Sequence, residues 1–408
     1  MMDTKTQIEK CVKDYLVDEA LVNYKIDVYS DLCKGSNFLG EVVKVHVTYT
    51  NKYKENIEHN LVAKVAKRNK KFVQLPLFKG LFQRELFLYI TVLPQFLKIQ
   101  LDKHITNPLR CYPQVYCFTN EAYNETLILE DMCAMGFKTC DRTSTLDYNH
   151  ALLVIKELGR LHALSFAVRD QYNCIFNDYF ENLQDSDFYN STGIEIAFQE
   201  WFPKCIDVLD PVKDKQAFDK LMQYQNTFYS RLQKALRSEV AEPYAVIGHG
   251  DFWISNFLFK YNDLSIPSEV CMVDFQLAKF YSPACDISQL LFVCLDKKVR
   301  NLHYYDLVDA YYKSLCSFLL ELGSDPAKLF PYHVLKEHLR KFSVVGLSAA
   351  VRMVYLISIP SSEIPDISLA NSGLEAIQMV LKTKQNEKYY NERMGDVLRD
   401  FFKYENEL

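Results

Sequence analysis

The first third of the chain contains short runs in which apolar and polar side chains alternate, as in strands with one buried face. β-branched residues alternate through 42–49, and a second run of this kind covers 60–66. The polar segment 51–56 between them predicts a hairpin loop. Shorter apolar runs at 114–119 and 126–129 predict two more strands. An antiparallel sheet is therefore expected here.

Elsewhere apolar side chains recur at helical spacing. Residues 5–22 predict a helix, and 27–30 predict a link between that helix and the first strand. A helix is also predicted at 79–92, with Pro94 as its end. Beyond the strands, the same spacing predicts helical regions at 148–168, 214–238 and 301–402. The pattern indicates a small sheet-containing region followed by a larger helical one.

Composition narrows the class of protein. The chain has 408 residues, of which 49% are apolar and 24% charged, so it should bury substantial cores. Its net charge of −5 provides no basic field for nucleic acid. The 12 cysteines include no C-x-x-C pair, which favours reduced thiols over disulfides or a zinc site. No run approaches the roughly 18 apolar residues of a membrane span, and the polar N-terminus is unlike a signal peptide. We therefore expect a cytoplasmic protein.

The clearest chemical motif lies in two apolar runs that each end in an aspartate. His249-Gly250-Asp251 follows the first run, Asn256 comes five residues after Asp251, and Asp274-Phe275-Gln276 ends the second run. Protein kinases have this layout in the catalytic loop H-R-D-x-x-x-x-N and the magnesium-binding D-F-G. Here Gly250 replaces the arginine and Gln276 the last glycine. The chemistry indicated is phosphoryl transfer to a hydroxyl.

Lys64 stands in the middle of a strand-like run, so it should face either solvent or a negative group. In kinases a lysine on the third strand contacts the phosphates and is held by a glutamate of the next helix. The predicted helix at 79–92 carries Glu85, our proposed partner, and Arg84, which should face solvent. The alternative is a solvated lysine and an unrelated surface glutamate.

Two further segments are candidates for nucleotide contacts. The turn that contains Gly35, Ser36 and Asn37 fits neither G-x-G-x-x-G nor the P-loop spacing, so an ordinary turn is the alternative to a phosphate loop. The strand at 126–129 opens into Glu130, Asp131 and Met132, whose backbone groups could pair with adenine at a hinge. A simple strand exit is the alternative there. We place the boundary between two lobes at this point, giving 1–130 and 131–408.

Supporting roles are predicted for two other polar residues. Asp286 follows Asp274 by twelve residues near the start of a helix, and we interpret it as a brace for the catalytic loop. His162, within the long helix, is interpreted as a core or capping residue. The aromatic segment 171–210 is either helix-packing surface or one wall of a substrate pocket.

These motifs resemble those of the ecdysteroid kinase-like (CHK-type) family, which is related to the aminoglycoside and choline phosphotransferases. The resemblance covers roughly 30–330 and rests on the two catalytic motifs and on two others, Leu129-Glu130-Asp131 with Gly136-Phe137, and Leu161-His162-Ala163-Leu164-Ser165. It implies an α+β, bilobal, protein-kinase-like fold, with a small N-terminal β-sheet lobe containing one key helix and a larger, mainly helical C-terminal lobe. It also implies ATP and Mg²⁺ as cofactors.

The resemblance also implies residue roles. Asp251 would be the catalytic base, Asn256 and Asp274 the magnesium ligands, and Lys64 with Glu85 the pair that positions the phosphates. The loop with Gly35, Ser36 and Asn37 would cover the nucleotide. The short interval from Asp274 to Asp286 and the lack of an Ala-Pro-Glu motif leave little room for a peptide platform, which favours a small-molecule alcohol over a protein as acceptor. No obligate protein partner is evident.

Three functions remain open at this point. The first is an ATP-dependent kinase for an ecdysteroid or another hydrophobic alcohol. The second is a choline- or ethanolamine-type kinase, for which acids such as Glu195, Glu200 and Asp207 could hold a cationic head group. The third is a catalytically silent carrier of a hydrophobic ligand that keeps the kinase fold.

Overall fold

The structure, a computed structural model, describes the following residues of the chain: 3–16, 23–29, 40–51, 53–66, 80–121, 124–183 and 192–407. The predicted loop with Gly35, Ser36 and Asn37 lies outside these ranges.

An antiparallel five-stranded sheet forms the N-terminal part of the molecule, with strand order β1-β2-β3-β5-β4. Its strands are β1 (Tyr24–Tyr29), β2 (Gly40–Thr50), β3 (Asn56–Ala66), β4 (Val115–Thr119) and β5 (Thr126–Glu130). Helix α1 (Thr4–Leu16) packs its apolar face, which includes Ile8 and Val12, against one side of this sheet. The predicted hairpin and both shorter strands are confirmed.

The link predicted at 27–30 is wrong for its first three residues, which belong to β1. This strand lies at the sheet edge, where it pairs only with β2 and keeps Tyr24 and Tyr29 exposed. An edge strand that buries little apolar surface has only a weak alternating pattern, and so its sequence resembles a polar connection.

The helix predicted at 79–92 is longer than expected. Helix α2 (Leu81–Phe87) continues through a π-helical turn at Leu88–Val92 into α3 (Leu93–Asp102), with Pro94 near the start of α3. The expectation that Pro94 ends the helix is therefore wrong. The backbone N–H of Leu93 bonds to the carbonyl of Leu88 rather than to that of Tyr89, and this wider turn removes the usual conflict between a proline ring and the preceding turn.

The rest of the chain is mainly helical. Its helices are α4 (Tyr148–Gln171), α5 (Asn173–Asn182), α6 (Thr192–Ile206), α7 (Lys215–Gln225), α8 (Phe228–Ala235), α9 (Ser238–Ala241), α10 (Ala284–Gln289), α11 (Lys297–Glu321), α12 (Pro326–Leu329), α13 (Tyr332–Phe342), α14 (Val344–Ile357), α15 (Gly373–Lys382) and α16 (Glu387–Glu407). A π-helical turn at Leu290–Cys294 continues α10. The single helix predicted at 214–238 is in fact three short helices, with breaks at 226–227 and 236–237.

Two small sheets carry the loops with the catalytic motifs. In one, β6 (Lys138–Thr139), β8 (Phe257–Tyr261) and β9 (Pro267–Met272) pair in that order. In the other, β7 (Val246–Gly248) pairs with β10 (Lys279–Tyr281). The architecture is thus α+β, with an antiparallel sheet and one long helix followed by a larger helical part, as expected. No helix in the described part of the chain is long and apolar enough to cross a membrane.

The core explains why the motifs meet. The apolar side of α2 and α3 belongs to the same buried cluster as the C-terminal helices, rather than to the cluster beneath the sheet. Tyr89 packs edge-on against Phe275, with their ring centroids 5.6 Å apart. The helix that carries Glu85 therefore lies directly against the residue that follows Asp274.

Candidate active site

The catalytic loop begins where β7 ends. His249 is fully buried, and its Nε2 lies 3.0 Å from the carbonyl oxygen of Val273, while its Nδ1 accepts a hydrogen bond from the backbone N–H of Asp251 at 3.3 Å. These contacts require the tautomer with the proton on Nε2. Burial lowers the pKa of His249, which favours this neutral form. The histidine thereby ties the loop of Asp251 to the segment that delivers Asp274.

Asp251 has one carboxylate oxygen held and one available. Its Oδ2 accepts hydrogen bonds from Asn256 Nδ2 at 3.0 Å and from Trp253 Nε1 at 3.3 Å. Its Oδ1 has no partner in the part of the chain described. Burial and the nearby charge of Asp274 raise the pKa of Asp251 to about 6, against the opposing effects of Asn256, Arg352 and Trp253. A carboxylate with this environment can orient a hydroxyl group and accept its proton.

Asn256 is fixed so that its amide oxygen has no partner among the residues that the structure describes. Its Nδ2 donates to the backbone oxygen of Asp251 at 2.8 Å as well as to the carboxylate, and its own backbone oxygen accepts from the N–H of Val273 at 3.0 Å. The second bond places Asn256 beside the residue that precedes Asp274. An amide oxygen and a carboxylate are thus brought to one place.

The donor set at this place fits magnesium bound together with phosphates. Mg²⁺ is typically held by one or two protein oxygens, with phosphates and water completing an octahedron. Among the residues described, no group of three or more His, Cys, Asp or Glu side chains is placed to hold a metal ion by itself. Asn256 and Asp274 could therefore hold the ion only with ligands from a nucleotide.

Lys64 lies between two carboxylates. Its Nζ is 2.7 Å from Asp274 Oδ1, which accepts a hydrogen bond, and 2.6 Å from Glu85 Oε2, a contact that is an ion pair without hydrogen-bond geometry. The structure thus brings Lys64 to Glu85, and also to Asp274, which we did not expect. Burial opposes the charge of Lys64, but the two carboxylates outweigh it and hold its pKa above the ordinary lysine value. Burial also raises the pKa of Glu85.

Asp274 adopts an unusual backbone conformation. Its φ of 69° and ψ of 61° lie in the left-handed region that non-glycine residues seldom occupy. Such conformations persist only where surrounding contacts hold them, and they concentrate at functional sites. Lys64 holds one carboxylate oxygen, and Gln276 Nε2 donates to the other at 3.3 Å. Gln276, which occupies the position of the usual glycine, thus contributes to holding the aspartate.

Asp286 braces the loop from behind, as the sequence suggested. It is fully buried, and its Oδ2 accepts from the backbone N–H of His249 at 2.8 Å, while its Oδ1 accepts from that of Gly250 at 3.1 Å. Tyr281 donates its hydroxyl to Oδ1, and His162 Nε2 lies 3.2 Å from Oδ2. Two consecutive backbone amides are therefore anchored by one carboxylate.

Replacing Gly250 with alanine is expected to lower the free energy of unfolding by about 3 kcal/mol or more. Its φ is +84°, and a Cβ there would lie 2.1 Å from the carbonyl oxygen of Leu277, which is backbone and cannot move aside cheaply. Denaturant unfolding of Gly80→Ala provides the matched control, because Gly80 has φ +80° with nothing within 4 Å of an added Cβ. Only about 1 kcal/mol is expected there. Equal losses in the two variants would contradict the steric argument.

The predicted hinge offers one available backbone donor. The N–H of Glu130 donates to the oxygen of Gln114 at 2.9 Å, and that of Asp131 donates to the oxygen of Asn60 at 3.0 Å. The N–H of Met132 has no partner in the described ranges, so of the three predicted residues it is the one whose N–H could pair with adenine. The Asp131 carboxylate accepts from the N–H of Cys133 and lies 3.3 Å from Lys44 Nζ.

Several residues that position the loop were not predicted. Tyr281 accepts the N–H of Gly250 at 3.0 Å, Gln289 accepts that of Phe252 at 3.1 Å, and Ser165 accepts that of Ile247 at 2.8 Å. These contacts join segments far apart in the chain. The tyrosine and the glutamine lie within apolar runs and carry no local pattern that would have distinguished them. The serine belongs to the motif at 161–165, but nothing in that motif indicates its bond to a distant amide.

The fold and the site together define a protein of the protein-kinase-like class. A lysine on the sheet, a glutamate on the helix after it, and an aspartate–asparagine loop followed by a second aspartate are joined by contacts in the arrangement that this class uses. The chain belongs to the ecdysteroid kinase-like family, whose model matches residues 34–324.

Solved structures with a similar fold include two kinds of phosphotransferase. An ethanolamine kinase of Plasmodium vivax matches with a TM-score of 0.44 and 13% identity, over 99% of this chain and 92% of that one. A mutant of aminoglycoside 2′-phosphotransferase-IIIa in complex with GDP matches with a TM-score of 0.45 and 14% identity, over 87% and 90%. No curated protein sequence matches this chain. The family assignment rests on the family match.

Proposed function

We propose that the protein transfers the γ-phosphoryl group of ATP to the hydroxyl of a small hydrophobic alcohol, of which an ecdysteroid is one candidate. Membership of the ecdysteroid kinase-like family supports a small-molecule kinase. The observation that carries the proposal is the joining of Lys64, Glu85 and Asp274 by contacts of 2.6 and 2.7 Å beside the loop of Asp251 and Asn256.

Lys64 would contact the phosphates of the nucleotide. Glu85 stabilises the positive charge of Lys64. When ATP binds, phosphate oxygens would replace part of the contact between Lys64 and Asp274. A magnesium ion held by Asn256 Oδ1, Asp274 and the phosphates would neutralise the charge that develops on the transferred group. The N–H of Met132 would donate to the adenine ring.

Asp251 would orient the acceptor. Its available Oδ1 accepts a hydrogen bond from the acceptor hydroxyl, whose oxygen attacks the γ-phosphorus in line with the leaving group. The new O–P bond forms as the bond from the γ-phosphorus to the β–γ bridging oxygen breaks; ADP leaves, and the hydroxyl proton passes to Asp251.

Two features of the described site bear on choline or ethanolamine as the acceptor. The charge of Arg352 acts on Asp251, and no carboxylate in the described part of the chain lies within ion-pair distance of Arg352. Glu200 and Asp207, two of the acids considered for a cationic head group, are exposed to solvent. A cationic acceptor would therefore meet the like charge of Arg352 beside the base, together with the stronger and opposite charge of Asp274.

Two observations argue against a silent carrier. A protein that only binds a hydrophobic ligand gains nothing from an aspartate in a left-handed conformation or from a lysine buried between two acids, both of which reduce stability.

We further propose a cytoplasmic location, which the free state of every described cysteine supports.

Mass spectrometry tests the proposal directly. The protein is incubated with ATP, magnesium and a panel of ecdysteroids, other hydrophobic alcohols, choline and ethanolamine, beside the Asp274→Asn variant. A product heavier than its precursor by one phosphoryl group, about 80 Da, formed by the wild type only, is expected for a hydrophobic alcohol. A product from choline alone would move the assignment to the cationic class. Binding of magnesium–ATP without any product would favour the silent carrier.

A further inference from the structure

A small cleft on the helical part of the molecule is lined by four cations. It lies between α8 and the junction of α13 with α14 and has a volume of about 210 Å³. Arg231 and Lys234 border it from α8, and Arg340 and Lys341 from α13. All four side chains are exposed at its rim, while Ala235 and Val344 form an apolar floor.

None of these four cations has an acidic partner in the part of the chain that the structure describes. Arg231 lies over the ring of Tyr224, 4.4 Å from its centroid, and Lys341 Nζ donates to the backbone oxygen of Val240 at 3.1 Å. His338 adds no charge to the cleft, because burial and the charge of Lys341 lower its pKa to about 4.

Cations on neighbouring helices are arranged differently. Lys215 pairs with Asp219, Lys220 lies 3.9 Å from Glu405, and Lys297 and Arg399 share Asp396. In a chain with a net charge of −5, acids are available, yet none of the residues that line this cleft is acidic. Glu405 accepts from the hydroxyl of Tyr224, a lining residue, but forms no ion pair with the four cations. Four like charges without counter-charges repel one another, and an anion that sits among them relieves that repulsion.

We propose that this cleft binds a phosphate monoester group at a site separate from the catalytic loop. Two guanidinium groups can each present paired donors to phosphate oxygens, and two ammonium groups add point charges, which suits a compact dianion. The volume is below the roughly 300 Å³ at which sites for whole drug-sized ligands begin, so the cleft accepts the phosphate and a few attached atoms rather than a nucleotide.

The cleft and the catalytic loop are connected by one helix. Val344 on the floor is eight residues before Arg352 on α14, a separation of about 12 Å along the helix axis. The charge of Arg352 acts on Asp251. A phosphate bound in the cleft would therefore lie outside the site of phosphoryl transfer, at the start of the helix that carries Arg352. The proposal does not depend on the proposed catalytic activity.

Calorimetric titration of the full chain with inorganic phosphate tests the site. The cleft variant Lys234→Ala/Arg340→Ala is expected to bind phosphate at least about tenfold more weakly than the wild type, since hydrogen bonds to a charged group are lost. The matched control is Arg237→Ala/Lys336→Ala, which removes the same charges from exposed positions next to α8 and on α13 that do not line the cleft. The control should bind as the wild type does.

A second arm separates a soluble phosphate from a lipid head group. Vesicles of phosphatidylcholine with and without phosphatidic acid are sedimented with the three proteins. Retention of the wild type and the control, but not of the cleft variant, on vesicles with phosphatidic acid would identify a lipid as the source of the phosphate. Equal binding of phosphate and vesicles by the cleft variant and the wild type, or no binding by either, overturns the proposal. The unfolding temperature of each variant shows that these exposed substitutions leave the fold intact.

Discussion

Replacing Asp286 with alanine is expected to lower the free energy of unfolding by about 3–5 kcal/mol and to abolish activity. The carboxylate is completely buried and accepts from the backbone N–H groups of His249 and Gly250 and from the hydroxyl of Tyr281. Alanine would leave the N–H of His249 and the hydroxyl of Tyr281 without an acceptor in the interior, and each costs about 1–3 kcal/mol when unpaired. The N–H of Gly250 would keep only its bond to Tyr281. Denaturant unfolding monitored by circular dichroism measures the loss.

The catalytic loop is expected to lose its conformation together with that stability. The amides of His249 and Gly250 are adjacent, so their shared acceptor fixes the orientation of the two peptide bonds on either side of His249. Asp296→Ala is a suitable comparison, because it removes a single bond, from the N–H of Val299 at 2.8 Å, at the start of α11. About 1 kcal/mol is expected there, with little effect on activity. A loss below about 1 kcal/mol for Asp286→Ala would contradict the bracing role.

The difference in the free energy of unfolding between the wild type and Asp286→Ala should become smaller at acid pH. Burial opposes the charge of Asp286, but the contact with His162 and the other hydrogen bonds hold its pKa below the usual aspartate value. A carboxylate whose pKa is lowered in the folded state stabilises the fold above its unfolded pKa of about 3.9, and that contribution is lost as the pH falls below this value. The difference between wild type and Asp286→Ala should therefore be complete near neutral pH and should narrow below about pH 4.

Elements that a local sequence pattern determines could be predicted, whereas elements that depend on contacts between distant residues could not. The hairpin of β2 and β3 and the helix α4 follow from the local spacing of apolar residues, and both lie where that spacing placed them. The edge strand β1 depends instead on its pairing with β2. The continuation of α2 through Pro94 into α3 depends on a π-helical turn. Neither has a local signature, so tertiary context decides both.

The residues of the candidate site also fall into those that a local motif reveals and those that act through distant contacts. Asp251, Asn256 and Asp274 were predictable because a motif with fixed spacing carries them, and Glu85 followed from the helix after the lysine strand. The roles of Tyr281, Gln289 and Ser165 were not, since each depends on contact with a distant backbone amide. Three assignments stay predictions: the roles of the motif residues toward a nucleotide, the boundary between two lobes at Glu130, and the covering of the nucleotide by the loop with Gly35, Ser36 and Asn37.

Replacing Asp251 with asparagine is expected to lower the rate of phosphoryl transfer by about 10²–10⁴-fold, with little change in the binding of magnesium–ATP. The amide can keep the hydrogen bonds from Asn256 and Trp253 with its oxygen, which then turns its nitrogen toward the acceptor hydroxyl. An amide nitrogen donates and cannot accept the hydroxyl proton. Single-turnover kinetics and nucleotide titration, with the acceptor identified by mass spectrometry, separate the two quantities.

Stability distinguishes this effect from a general loss of structure. Burial raises the pKa of Asp251 to about 6, so its ionised form is disfavoured in the folded state and reduces stability above that pH. Asp251→Asn removes the buried charge and should unfold at the same temperature as the wild type, or at a higher one, at pH 8. Asp263→Asn, in an exposed turn, makes the same chemical change and should retain both activity and unfolding temperature. A variant that is inactive but not destabilised identifies Asp251 as the base, whereas one with substantial activity would remove Asp251 from that role.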